Sequence, residues 1–149
     1  MPRMPLPGRT LNRSLLAPDG APVVLIESLD VAAGQRVTFS VISVGERWRQ
    51  GLFIATEGAV RIGDEERDQW IVWTDSAPPQ VDVEIVKTDG KLVFYNIWDS
   101  GRSKGRESQS HTSGMYLEVH DDGVRRYACN DIGFDPDFTS LVFDVELHR

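Results

Sequence analysis

The chain has 149 residues, 40% of them hydrophobic and 26% charged, with a formal charge of −7 and a pI near 4.9. This composition fits one globular domain that buries roughly two-thirds of its unfolded surface without needing a disulfide or metal, and it excludes a mainly disordered chain. The acidic balance argues against a nucleic-acid or anionic-membrane binder, whose affinity comes from clustered Lys and Arg, and no apolar run reaches the roughly 18 residues of a membrane-spanning helix.

The opening MPRMPLPGRT has no apolar stretch of the secretory kind, and Cys129, as the single cysteine, admits no intrachain disulfide. Both observations predict a cytoplasmic protein. Residues 1–22 carry five prolines, which lack the donor a strand ladder needs, so this segment reads as a Pro-rich arm with Leu11, Leu15 and Leu16 crossing a sheet.

From Val23 the pattern changes to short runs of Val, Ile, Phe and Trp between turn residues, which predicts one all-β domain over 23–149. The expected strands are Val23 to Leu29, Arg36 to Val44, Leu52 to Thr56, Ala59 to Ile62, Gln69 to Thr74, Val81 to Val86, Lys91 to Trp98, Met115 to His120, Val124 to Asn130 and Leu141 to Leu147. Val81, Val83 and Ile85 alternate with Asp82 and Glu84, and Leu141, Phe143 and Val145 alternate with polar or smaller neighbours, so each strand should bury one face. Asp89-Gly90 and Asp122-Gly123 read as two-residue type I′ hairpins, and Glu57-Gly58 as a weaker third. The expected architecture is a two-sheet antiparallel β-sandwich, jelly-roll-like, with a closed β-barrel as the alternative.

The segment from Lys91 to Gly114 carries the main functional expectation. LVFYNIW is apolar on both alternating faces, with Leu92, Phe94 and Trp98 on one and Val93, Tyr95 and Ile97 on the other. Asn96 alone interrupts it. The following residues to Gly114 are polar, glycine-rich and basic, a composition that cannot form core and that suits either a binding or lid element hung from a strand or a disordered segment. Arg102, Lys104 and Arg106 recur every second residue, so an extended loop would present them together to a phosphate or carboxylate. The ligand-binding set expected from this pattern is Asn96, Asp99, Arg102, Arg106 and His111, with Trp48 of GERWRQG as a stacking face. Trp48 could instead fold over the end of the domain or enter an interface between copies of the chain, which leaves a homo-oligomer open.

A catalytic alternative uses His111 as a base, oriented by Glu107 or Asp99, in a lyase, isomerase or hydrolase. No nucleophile motif accompanies it, and Cys129 lies in a strand pattern where a thiol is usually buried and inert. Asp131, Asp135 and Asp137 could offer oxygens to a cation, but without a closing Glu the spacing favours a turn whose carboxylates bond local amides, so no metal or other cofactor is expected. The reading is a protein that binds a small polar or anionic compound, a carbohydrate or phosphorylated molecule, through the 99–113 loop. A protein-interaction module is the third alternative.

Overall fold

Ten strands and no helix make up the regular structure of the computed structural model, in which residues 6, 8–17, 19–101, 106–108, 113–131 and 138–148 are described. The strands are β1 (Thr10–Leu16), β2 (Pro22–Asp30), β3 (Arg36–Val44), β4 (Arg49–Ile62), β5 (Glu65–Trp73), β6 (Gln80–Lys87), β7 (Lys91–Asp99), β8 (Gly114–Val119), β9 (Arg125–Asn130) and β10 (Leu141–Leu147). Among the described residues no helix is long and apolar enough to cross a membrane.

Every named pairing is antiparallel, and the order β2-β7-β4-β6-β3-β10-β9-β8 returns to β2 where Val24 lies opposite Met115. The protein is therefore a closed eight-stranded barrel, with β1 added beside β2 and β5 beside β4. The expected sandwich is corrected to the alternative. Alternating patterns look the same in both architectures, and only the long-range pairing of β2 with β8 distinguishes them.

Two expected turns are also corrected, for one shared reason. β4 is a single 14-residue strand that runs through Glu57-Gly58 without reversing. Its first half pairs with β7, from Arg49 opposite Asp99 to Thr56 opposite Leu92, and its second half pairs with β6, from Ala59 opposite Lys87 to Arg61 opposite Glu84. Both partners run antiparallel to β4, so β6 and β7 follow one another along it, and Asp89-Gly90 turns a corner rather than a hairpin. Gly58 sits at this corner with φ +140°, and a Cβ there would lie 2.5 Å from the Lys87 carbonyl carbon. Thr56 pins the same place: its hydroxyl donates to Lys91 O at 2.7 Å and lies 2.6 Å from the Thr88 hydroxyl. Bulges and glycines at such points let a long strand bend from one side of a barrel to the next.

Asp122-Gly123 does join an antiparallel pair, β8 and β9, but through a longer turn than expected. His120 N–H donates to Val124 O at 2.9 Å and Gly123 N–H to His120 O at 2.9 Å, the pattern of a three-residue loop ending in a glycine bulge. Positive φ is present at both predicted glycines, +108° at Gly90 and +85° at Gly123.

The barrel is filled by its own side chains. Phe94 meets Phe39 and Tyr127 edge-on at 5.3 and 5.2 Å, and Tyr127 stacks on Phe143 at 5.2 Å. Leu92, Phe94, Trp98, Val83, Ile85, Leu141 and Phe143, expected as core from their alternation, are all buried. The opposite face of β7 is covered too, because Tyr95 stacks on Phe53 at 4.8 Å in a patch with Ala55, Ile97, Trp73 and Leu6. The N-terminal arm is more regular than its prolines implied: β1 falls between Pro7 and Pro18, and its Leu15 packs with Ala17, Val23 and Phe138.

Candidate functional site

The register gathers several strand ends. Arg49 lies opposite Asp99, Val44 opposite Leu141 and Gly114 opposite Asn130, so β4, β8 and β10 begin where β3, β7 and β9 end. The links after β3, β7 and β9 all leave this end of the barrel, which brings Trp48 to the same end as the loop following Asp99.

Beneath those links lies a buried polar floor. Gln50 and Trp98 are directly opposed on β4 and β7, and Leu52 and Asn96 are the next inward pair. Asn96 donates through Nδ2 to Asn130 O at 3.3 Å. The Asp131 carboxylate, 3% exposed as a residue, accepts from Arg47 Nη2 at 2.8 Å and from Gln50 Nε2 at 2.9 Å, one bond to each oxygen. Its backbone N–H donates to Ser140 Oγ at 3.2 Å. Arg47 also covers the Trp48 ring, its guanidinium carbon 3.7 Å from the centroid, so one cation fixes both the carboxylate and the indole. Two atoms of this floor, Gln50 Oε1 and Trp98 Nε1, are buried without a hydrogen-bond partner among the described residues. One is an acceptor and the other a donor, on directly opposed residues.

The expected site residues divide between the faces of β7. Asn96 points inward to the floor, and Asp99 and Trp48 stand at the same end. Arg106 is on the outer face instead, its guanidinium 5.5 Å from the Phe53 ring centroid, so it does not converge with Asn96. Glu107 closes the neck of the loop: its backbone exchanges hydrogen bonds with Trp98, at 2.7 and 3.1 Å, and its carboxylate accepts the Ser100 N–H at 2.8 Å. Asp99 similarly accepts the Gly101 N–H at 2.9 Å. Both carboxylates thus serve as turn acceptors. Arg102 and His111 lie outside the described residues, as do Asp135 and Asp137.

Of the three aspartates considered for a cation, Asp131 spends each oxygen on a protein donor, and among the described residues no group of three or more His, Cys, Asp and Glu is arranged to hold a metal. Cys129 is buried, and that burial, with the Asp131 charge adding to it, pushes its thiol well above the ordinary range. A thiol so held supplies no thiolate near neutral pH, in keeping with the inert reading.

A second buried carboxylate was not foreseen. Glu27 is opposite Phe94 and so points inward; its Oε2 accepts the Tyr127 hydroxyl at 2.8 Å, and its Oε1 lies 3.1 Å from Arg9 Nε. Burial, followed by the Glu27 charge, raises the Tyr127 hydroxyl far above its usual value. Gln50 and Arg47 were missed as well, because RWRQG reads as a loop; the one available signal was the Arg flanking Trp48. Comparison of the chain with family models, curated proteins and solved structures returned no match.

Proposed function

We propose that the protein binds a small, hydroxyl-bearing polar compound, a carbohydrate or its phosphorylated derivative, at the end of the barrel from which the 99–113 loop emerges. One observation carries the reading: Gln50 Oε1 and Trp98 Nε1, on opposed residues each 1% exposed, lack hydrogen-bond partners among the described residues. A buried polar atom left unpaired costs about 1–3 kcal/mol. A ligand hydroxyl that donates to Gln50 and accepts from Trp98 would remove that cost twice.

The charge of the floor supports a neutral contact, since Arg47 already compensates Asp131. Affinity for a phosphate or carboxylate would therefore come from basic loop residues other than Arg106, which lies on the outer face of β7. Asp99 and Glu107 each give one oxygen to a backbone amide, and no nucleophile motif accompanies them in the sequence, which favours binding over catalysis. A reducing cytoplasm suits the single buried thiol.

Thermal unfolding of the parent and of Trp98→Phe, with neutral sugars and polyols, sugar phosphates and small carboxylates, tests the proposal. A ligand at a hundred times its Kd should stabilise the parent by about 2.7 kcal/mol. Its affinity should fall about tenfold in Trp98→Phe, which keeps a ring and removes the donor. Equal stabilisation of both proteins by every compound, or of neither, overturns the reading.

A further inference from the structure

A groove of about 570 Å³ runs beside β5, far from the polar floor in its chemistry. One wall is formed by Trp70, Val72 and Trp73, the other by Ala77, Pro78 and Val81. Trp70 and Val72 pack against the core through their inward faces, and Trp70 Nε1 donates to Val60 O at 2.9 Å, so this wall is rigid.

Both walls also carry open backbone. β5 pairs with β4 alone among the described strands. β6 pairs with β4 only at Glu84, Ile85 and Lys87, so among the described residues the stretch from Gln80 to Val83 has β3 on one side and no strand on the other. The end of β4 causes this: it turns back after Ile62, where Ile62 lies opposite Glu65, before it reaches the start of β6. Unpaired strand edges are templates for a further strand.

We infer that this groove takes up an extended peptide segment by strand addition, the partner's alternate side chains being apolar where they meet Trp70, Val72 and Val81 and basic toward the β4–β5 turn. Backbone pairing supplies the binding and the alternate pockets the selectivity. The β4–β5 turn sets the charge preference: Asp64, Glu65, Glu66, Asp68 and Glu84 outnumber Arg61, which pairs with Glu66 and Glu84, and Arg67, which pairs with Glu65, while the other end of β5 is apolar.

A second copy of this chain fits that edge poorly. Antiparallel pairing of two β5 strands about Gln69 would set Glu65 against Trp73, Glu66 against Val72 and Asp68 against Trp70. In-register parallel pairing would stack the carboxylates on one another, and like charges in direct opposition are destabilising.

The test uses the whole protein and three capped octapeptides: alternating valine and threonine with terminal lysines, the same peptide N-methylated at alternate amides, and a version with glutamates for lysines. Residue-resolved amide exchange and chemical shifts are followed. The lysine peptide should bind saturably at up to millimolar concentration and slow exchange at least tenfold at the alternate amides of Trp70 to Trp73 and Gln80 to Val83 that face away from β4 and β3. The N-methylated peptide should give no protection, and the glutamate peptide should bind several-fold more weakly. Absence of protection with the lysine peptide, equal binding of the N-methylated one, or no loss with glutamate would overturn the inference. So would protection of β5 that grows with protein concentration alone, which would assign the edge to a second copy.

Discussion

Replacing Gly58 with alanine tests the corner on which the barrel depends. The glycine has φ +140°, and an added Cβ would lie 2.5 Å from the Lys87 carbonyl carbon and 3.1 Å from Thr88 N. These are backbone atoms, so no rotamer change relieves the overlap. Holding an L-residue in a sparsely allowed conformation costs about 1–3 kcal/mol, and overpacking costs typically another 1–3. The expected loss is therefore roughly 2–6 kcal/mol, a large part of the 5–15 that stabilises an ordinary domain. Gly63→Ala is the matched control. Gly63 also has positive φ, +64°, but nothing lies within 4 Å of its Cβ position, so only the conformational cost of about 1–2 kcal/mol applies. Urea unfolding followed by tryptophan fluorescence measures both, with the slope checked for constancy. Similar losses in the two variants would refute the close approach of Gly58 to Lys87 as the determinant.

Tyr127→Phe removes the hydroxyl that donates to buried Glu27 and should cost about 1–3 kcal/mol. The raised hydroxyl pKa adds a pH signature: the folded protein holds this proton more tightly than the unfolded chain, so its contribution is complete below the ordinary tyrosine value near 10 and declines as pH rises beyond it. The parent should therefore lose stability above that pH more steeply than Tyr127→Phe, and parallel profiles from chemical denaturation would refute the pairing. Calorimetric titration with calcium should give no saturable heat, because both Asp131 oxygens hold protein donors; a micromolar heat abolished by Asp131→Asn would reverse that assignment.

Period-two alternation made most of the strands legible. Arg36–Val44 and Leu141–Leu147 coincide with the expected spans, and the two apolar faces of β7 cover the core on one side and the Phe53 patch on the other. Closure was not legible, because it rests on a pairing between β2 and β8 that leaves no local mark. Gly58 and Gly90 were recognised as special, but positive φ serves a bend as well as a reversal, so composition alone could not tell a corner from a hairpin. The candidate site was harder still. Glu27 looks like an outward position in VVLIESLD, yet Val24 lies opposite inward Met115 and Glu27 opposite inward Phe94, three residues apart, so the alternation slips once within β2. Gln50 was hidden for a similar reason: its strand begins before the apolar run that signals it.

The long bent strand β4 links the two surfaces and also makes them separable. Its first residues belong to the polar floor, where Gln50 opposes Trp98 and reaches Asp131. Its last residues pair with β6 only from Glu84 onward and leave the groove edge open. Between them the Thr56–Thr88–Lys91 hydrogen bonds and the Gly58 approach hold the corner. Strain at Gly58 acts first on Ala59 and Lys87, which lie on the groove side. The pairing of Gln50 and Trp98 is separated from it by the six further β7 contacts from Gly51 to Thr56. Stability changes made at the corner should therefore alter exchange along β6 before they alter the floor, and a ligand of the floor should bind a corner variant that remains folded with little loss.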